Sequence, residues 1–200
     1  MKTLRSVVFF ILAFILLLVA VSFFLPGKVH VERSTMITAP PAAVFSQVNN
    51  LHNWSTWMPW NKIDPNMKID YFGSAEGKGS GYLWTSENKN VGNGKLTITD
   101  SKPDEYVATS MEFQGRGEGK ADFKIEPTMG GSKVTWGMDS ETGMNPFMKY
   151  MGLFMDQLVG GMFEKGLDDL KKASENNPVP GTNQAPADST QVSNDSMKAV

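Results

Sequence analysis

The chain has 200 residues, 40% of them hydrophobic, enough for one ordinary globular domain with extra segments. Its formal charge is −2, and setting aside Lys2 and Arg5 leaves −4 for the remainder, so there is no basic footprint for nucleic acid. With no cysteine, disulfides and thiolate chemistry are excluded.

After a short N-terminal segment (1–6), residues Val7 to Leu25, "VVFFILAFILLLVAVSFFL", carry no charge. A helix over that run is about 28 Å long, close to the ~30 Å hydrocarbon core of a bilayer. A cleaved signal peptide is the competing reading, with Lys2 and Arg5 as its basic region. Signal h-regions run only about 7–15 residues, so the length favours an uncleaved transmembrane anchor. Lys2, Arg5 and the amino terminus favour a cytoplasmic N-terminus, partly opposed by Lys28 and Arg33. The domain behind the anchor is then expected on the extracytoplasmic side, periplasmic in a double-membraned bacterium. Only Pro26 and Gly27 separate Leu25 from the first strand, a reach of roughly 10 Å. The domain should therefore sit against the bilayer.

"KVHVERSTMIT" alternates Val29, Val31 and Arg33 against His30 and Glu32, which predicts a strand. Pro40 and Pro41 then suit a helix start, with Val44, Phe45, Val48 and Leu51 on its apolar face. A second short helical turn is expected over His52 to Trp57. Six further strands are predicted at Asn66–Phe72, Gly81–Ser86, Val91–Asp100, Glu105–Phe113, Gly119–Glu126 and Ser132–Ser140. Their alternation is that of an antiparallel sheet with one wet and one buried face: Ala121, Phe123 and Ile125, for example, oppose Asp122, Lys124 and Glu126.

Asn145 as N-cap and Pro146 at the first position open one long helix. Its apolar residues are Phe147, Tyr150, Met151, Phe154, Met155, Leu158, Met162, Leu167 and Leu170. Gly160 and Gly161 in its interior require either a bend or a close backbone approach. Residues 174–200 are polar and punctuated by Pro, and are expected to be a disordered tail. The expected class is α+β: a seven-stranded antiparallel sheet curved around the long C-terminal helix, in a domain spanning 28–173. Such an arrangement leaves a cavity between sheet and helix unless large side chains fill it.

This order of elements resembles the START-like (SRPBCC) superfamily, with its helix-grip fold. The similarity is to the polyketide cyclase/dehydrase-like group of membrane-tethered bacterial proteins. It is carried by "VERSTMITAPPAAVFSQVNNLHNWSTWMPW", "DPNM", "GKLTITDSKPDEYV" and "VTWGMDSETGMNPFMKYMGLFMDQLVGGMFEKGLDDLK". The group has no shared catalytic signature, so the resemblance implies a fold more than an activity. It implies that Trp54, Trp57 and Trp60 close one end of the groove, either as a structural plug or as a rim that gates a ligand.

Two histidines and no cysteine offer no convergent metal set, and no cofactor is expected. A His52–Ser55–Asp64 triad lacks a nucleophile elbow around Ser55. "GKGSG" and "GRGEG" lead into strands, so they are hairpin turns and not phosphate loops. The inward row offers Trp84, Met111, Phe113, Phe123, Trp136 and Met138 facing Met151, Phe154, Met155 and Leu158. With Trp57 and Trp60 these are the candidate ligand-binding residues. A filled core and an apolar cavity fit this row equally well. Tyr82 and Tyr106 are the nearest polar anchors.

The expected function is a membrane-tethered module that binds a hydrophobic small molecule or lipid in the groove. The alternative is a protein-interaction module whose partner sits on the sheet, as in some relatives, or on an apolar surface outside the groove. A cyclase or dehydratase would need an acid or base among inward positions that are nearly all apolar.

Overall fold

A computed structural model describes residues 2–114 and 117–176. The chain runs α1 (Lys2–Ser22), β1 (Lys28–Ile37), α2 (Pro41–Asn49), a 3-10 turn (Leu51–Asn53), α3 (Trp54–Trp57) and α4 (Pro59–Ile63). It continues through β2 (Lys68–Phe72), β3 (Gly81–Thr85), β4 (Gly94–Lys102), β5 (Tyr106–Phe113), β6 (Gly117–Thr128) and β7 (Gly131–Glu141), and ends with α5 (Pro146–Gly152) and α6 (Met155–Asn176). The strands form one antiparallel sheet in the order β1-β7-β6-β5-β4-β3-β2. This is the expected α+β helix-grip arrangement, with the sheet curved around α6. Helix α1 is long and apolar enough to cross a membrane, and among its described side chains only Ser22, at its C-terminal end, is buried.

The sheet's inner face follows from the strand alternation. Leu96, Ile98, Val107, Phe123, Ile125, Val134 and Trp136 are all buried, while Lys95, Glu126 and Lys133 face water. Arg33 shares the inner face of β1 with Val31, and there it meets α6. Its guanidinium donates to Asp156 at 2.8 Å and 3.1 Å and to Glu164 at 2.9 Å, tying the edge strand to the helix. Those hydrogen bonds hold the Asp156 carboxyl below its ordinary range.

Gly160 explains how Arg33 fits. A Cβ there would lie 2.2 Å from Arg33 Nη2, so the missing side chain makes room for a guanidinium. The sequence suggested a bend or a backbone approach; a side chain crosses instead. Gly161 faces open space.

The single long helix expected from residue 146 onward is two helices. Asn145 caps α5 by accepting from the Phe147 and Met148 amides at 3.0 Å and 3.4 Å. Residues 153 and 154 then close i→i−3 turns, Leu153 N to Tyr150 O at 3.2 Å and Phe154 N to Met151 O at 3.0 Å, before α6 starts afresh. Helix α6 runs to Asn176, past the expected domain end, and Glu175 accepts from the Thr38 amide at 2.8 Å. The expected tail lies, from residue 177 onward, outside the described residues, as do two residues of "GRGEG".

Gly166 sits where α6 presses on the core. A Cβ there would meet the Trp136 ring at 2.6 Å and Pro59 at 3.1 Å. Replacing Gly by Ala in a helix interior normally gains about 1 kcal/mol. At Gly166 overpacking dominates, and Gly166→Ala should lower stability by about 1–3 kcal/mol in a denaturant melt. A more stable variant would show that the contact relaxes freely.

Candidate functional site

The two readings of the inner face, filled core and cavity, hold at opposite ends of the same strands. Register places Arg33, Trp136, Phe123 and Val107 in one row across β1, β7, β6 and β5. That row is solid. Phe123 stacks on Trp136 with ring centroids 5.0 Å apart, and Trp136 stacks on Phe163 of α6 at 4.1 Å. Trp57 meets Phe123 and Trp136 edge-on at 5.8 Å and 6.1 Å, and Trp54 lies 5.2 Å from Trp57. The two indoles are anchored by hydrogen bonds to Val48 O at 2.8 Å and Gln47 O at 3.3 Å. Trp54 and Trp57 are therefore the plug.

Nearer the start of β1, the row Val29, Ser140, Gly119, Met111, Leu96 and Tyr82 crosses the sheet in register. Glycine at 119 and serine at 140 leave the middle of this row thin. Here a cavity of about 290 Å³ opens between the sheet and the start of α6. It exceeds the roughly 150 Å³ apolar cavity that can hold benzene, and sits at the small end of ligand pockets.

Among the expected site residues, Trp60, Trp84, Met111, Phe113, Met138 and Met155 line this cavity. Six others do not. Trp57, Phe123 and Trp136 belong to the solid end, buried among one another. Met151, Phe154 and Leu158 are exposed, because the break at residues 153–154 rotates the inward stripe of α6 to Met155, Val159, Phe163 and Leu167. Val159 and Met148 line the cavity and were missed, although Val159 stands one helical turn from both Met155 and Phe163. Asn90 enters from a loop, as do Met67 and Val91, which were expected at the starts of strands that begin instead at Lys68 and Gly94.

Polar groups are few. Tyr82 lines the cavity, and its hydroxyl makes no hydrogen bond among the described residues. Burial pushes its phenol far above the ordinary range, so it remains a neutral donor across physiological pH. Asn90, Ser140 and Glu118 complete the polar lining. Tyr106, the other expected anchor, is not part of the lining; it alternates with buried Val107 and feels the charges of Asp122, Asp100 and Asp139.

The triad residues are not assembled for catalysis. Ser55 Oγ donates to the backbone carbonyl of His52 at 3.0 Å, His52 stacks on Tyr71 at 3.9 Å, and Asp64 accepts from Ser86 Oγ at 2.5 Å. His30 lies on the outer face, hydrogen-bonded to Asp139 at 2.8 Å and Glu32 at 3.3 Å, which raise its pKa. Among the described residues no three His, Asp or Glu converge as a metal set.

Solved structures share this architecture at low identity, which speaks to fold alone. A protein of unknown function from Staphylococcus aureus is 15% identical with a TM-score of 0.57, covering 74% of this chain and 94% of its own. Ara h 8.0201 is 17% identical with a TM-score of 0.53, covering 76% and 100%. The Aha1 dimer from Colwellia psychrerythraea is 16% identical with a TM-score of 0.50, covering 74% and 96%. No curated protein matches the chain in a sequence search. The profile of one family spans the domain from residue 28 to residue 175. The chain belongs to the polyketide cyclase / dehydrase and lipid transport family.

Proposed function

We propose that the protein is a membrane-tethered module that binds a hydrophobic small molecule or a lipid chain in the cavity between the sheet and α6. The observation that carries this reading is the composition of the cavity wall. Trp60, Trp84, Met111, Phe113, Met138 and Met155 surround it, with one buried phenol as polar anchor. A wall of that kind rewards apolar burial at about 25 cal/mol per Å² and orients a ligand through a single hydrogen bond. Met side chains suit a site that must adapt to flexible chains. The family description includes lipid transport, which supports the same ligand class. Helix α1 is the tether, and the domain lies on the extracytoplasmic side.

Catalysis is the weaker reading. Glu118 is the one carboxylate in the lining, and it is exposed. A general acid or base works best sheltered from water against its substrate, and Glu118 lacks that setting.

The test uses the unequal placement of the five tryptophans. Only Trp60 and Trp84 line the cavity, whereas Trp54, Trp57 and Trp136 are buried in the plug. A short-chain fatty acid brominated near its end should quench part of the intrinsic fluorescence on contact. The quenching should disappear in the Trp60→Phe/Trp84→Phe double variant. Undiminished quenching in that variant would place the ligand elsewhere.

A further inference from the structure

One side of the cavity's lining adjoins an apolar surface that continues from α1. Lys149 Nζ donates to Ser22 O at 3.1 Å, and the Tyr150 hydroxyl donates to Leu18 O at 2.9 Å. Helix α5 thus lies alongside the last turn of α1. Leu18 is four residues before Ser22, about 6 Å further down the helix axis. If α1 spans a bilayer, α5 is held at the boundary between headgroups and acyl chains. Its neighbours fit that depth. Phe147 is 69% exposed, and Phe154 and Leu158 are each 54% exposed, with Met144, Met151 and Leu153 also open. Apolar side chains at this density, on one short helix and the first turn of the next, are costly in water. Tyr150 and Lys149 supply the aromatic ring and snorkelling cation typical of a membrane interface.

The same segment borders the cavity. Met148 of α5 and Met155 of α6 line the cavity, and they flank the break that carries Leu153 and Phe154 outward. Helix α5 is held down at its far end, where a Cβ on Gly152 would meet Val29 Cγ2 at 2.7 Å.

We propose that α5 and the first turn of α6 form a lip embedded in the lipid leaflet that receives the C-terminal end of α1, opening the cavity onto that leaflet. The proposal takes its ligand class from the binding reading above, and the lip's immersion stands apart from it. The occupant of the surface is the bilayer itself, because the patch continues the apolar helix α1 and its open members are Phe, Leu and Met, with Lys149 turned to the Ser22 carbonyl and Asp156 held by Arg33.

The chain has no cysteine, so single nitroxide labels can be placed in the full-length protein. Reconstituted into phosphatidylcholine vesicles, Phe147→Cys, Phe154→Cys and Leu158→Cys should collide readily with oxygen and poorly with a water-soluble nickel chelate. That pattern places them about 5–10 Å into the headgroup and acyl boundary. Met129→Cys is the control. It lies in the β6–β7 turn beside the Ile37 end of β1, roughly 27 Å along the strand from Val29, and should show the reverse pattern. Chelate access at residues 147 and 154 equal to that at 129 would overturn the lip. Shielding from oxygen and chelate together would also overturn it, by revealing a protein contact. Immersion without any quenching at Trp60 and Trp84 would leave the lip standing and remove the ligand reading alone.

Discussion

Replacing Trp57 with Ala should cost about 3–5 kcal/mol of unfolding free energy, a large share of the roughly 5–15 kcal/mol that holds a typical domain folded. Trp57 is fully buried, and its ring is bracketed by Trp54, Phe123 and Trp136. Its loss removes the largest apolar surface of the plug. It also strands three aromatic neighbours around a void that α6 cannot collapse into, because Gly166 already sits against Trp136. Trp60→Ala is the matched control. Trp60 is half-buried on the cavity wall, so its truncation enlarges an existing space and should cost clearly less. Chemical denaturation of both variants measures the difference. Equal losses would mean that the plug and the cavity wall are one continuous core.

Met111→Trp should abolish ligand retention while leaving the ligand-free protein as stable as the parent or more so. The Met111 side chain borders the cavity, and its Cε lies 3.7 Å from where a Gly119 Cβ would stand. An indole added there occupies empty volume and gains apolar burial. The same enlargement in the solid half behaves oppositely. Val107 is fully buried beside Phe123, and Val107→Phe should lose about 1–3 kcal/mol through overpacking. A melt of each variant without ligand reads two changes of opposite sign. A clear loss for Met111→Trp would show that the space is closed by its own side chains.

The fold was legible because one face of the sheet is wet. Alternations such as Phe123 against Asp122 and Lys124 mark the strands, and Asn145–Pro146 marks a helix start. The break at residues 153–154 was not legible, since Gly152, the one glycine there, is equally tolerated inside a continuous helical stripe, and only the hydrogen bonds tighten there. Reading one helix through it rotated the expected lining toward Met151, Phe154 and Leu158. Anchoring the helical stripe on Leu167 and Leu170 instead leads back through Phe163 to Val159.

The separation of Trp57 from Trp60 did leave a mark in the sequence. Pro59 disfavours a helical conformation at Met58, whose φ of −68° and ψ of 127° end α3 and send Trp60 toward the cavity. What no single strand pattern shows is the division of the inner face into a solid and an open half. Phe123, Trp136, Met111 and Met138 share one periodicity. Only the cross-strand register reveals which of them meet Phe163 and which meet Met155 and Val159.

The most direct measurement is the mass of the intact protein, released into the gas phase after gentle extraction from its own membrane. The protein should carry a tightly held apolar molecule that survives removal of detergent, and Met111→Trp should appear bare under identical conditions. A bare wild-type protein, together with a lowered melting temperature for Met111→Trp, would contradict the binding module.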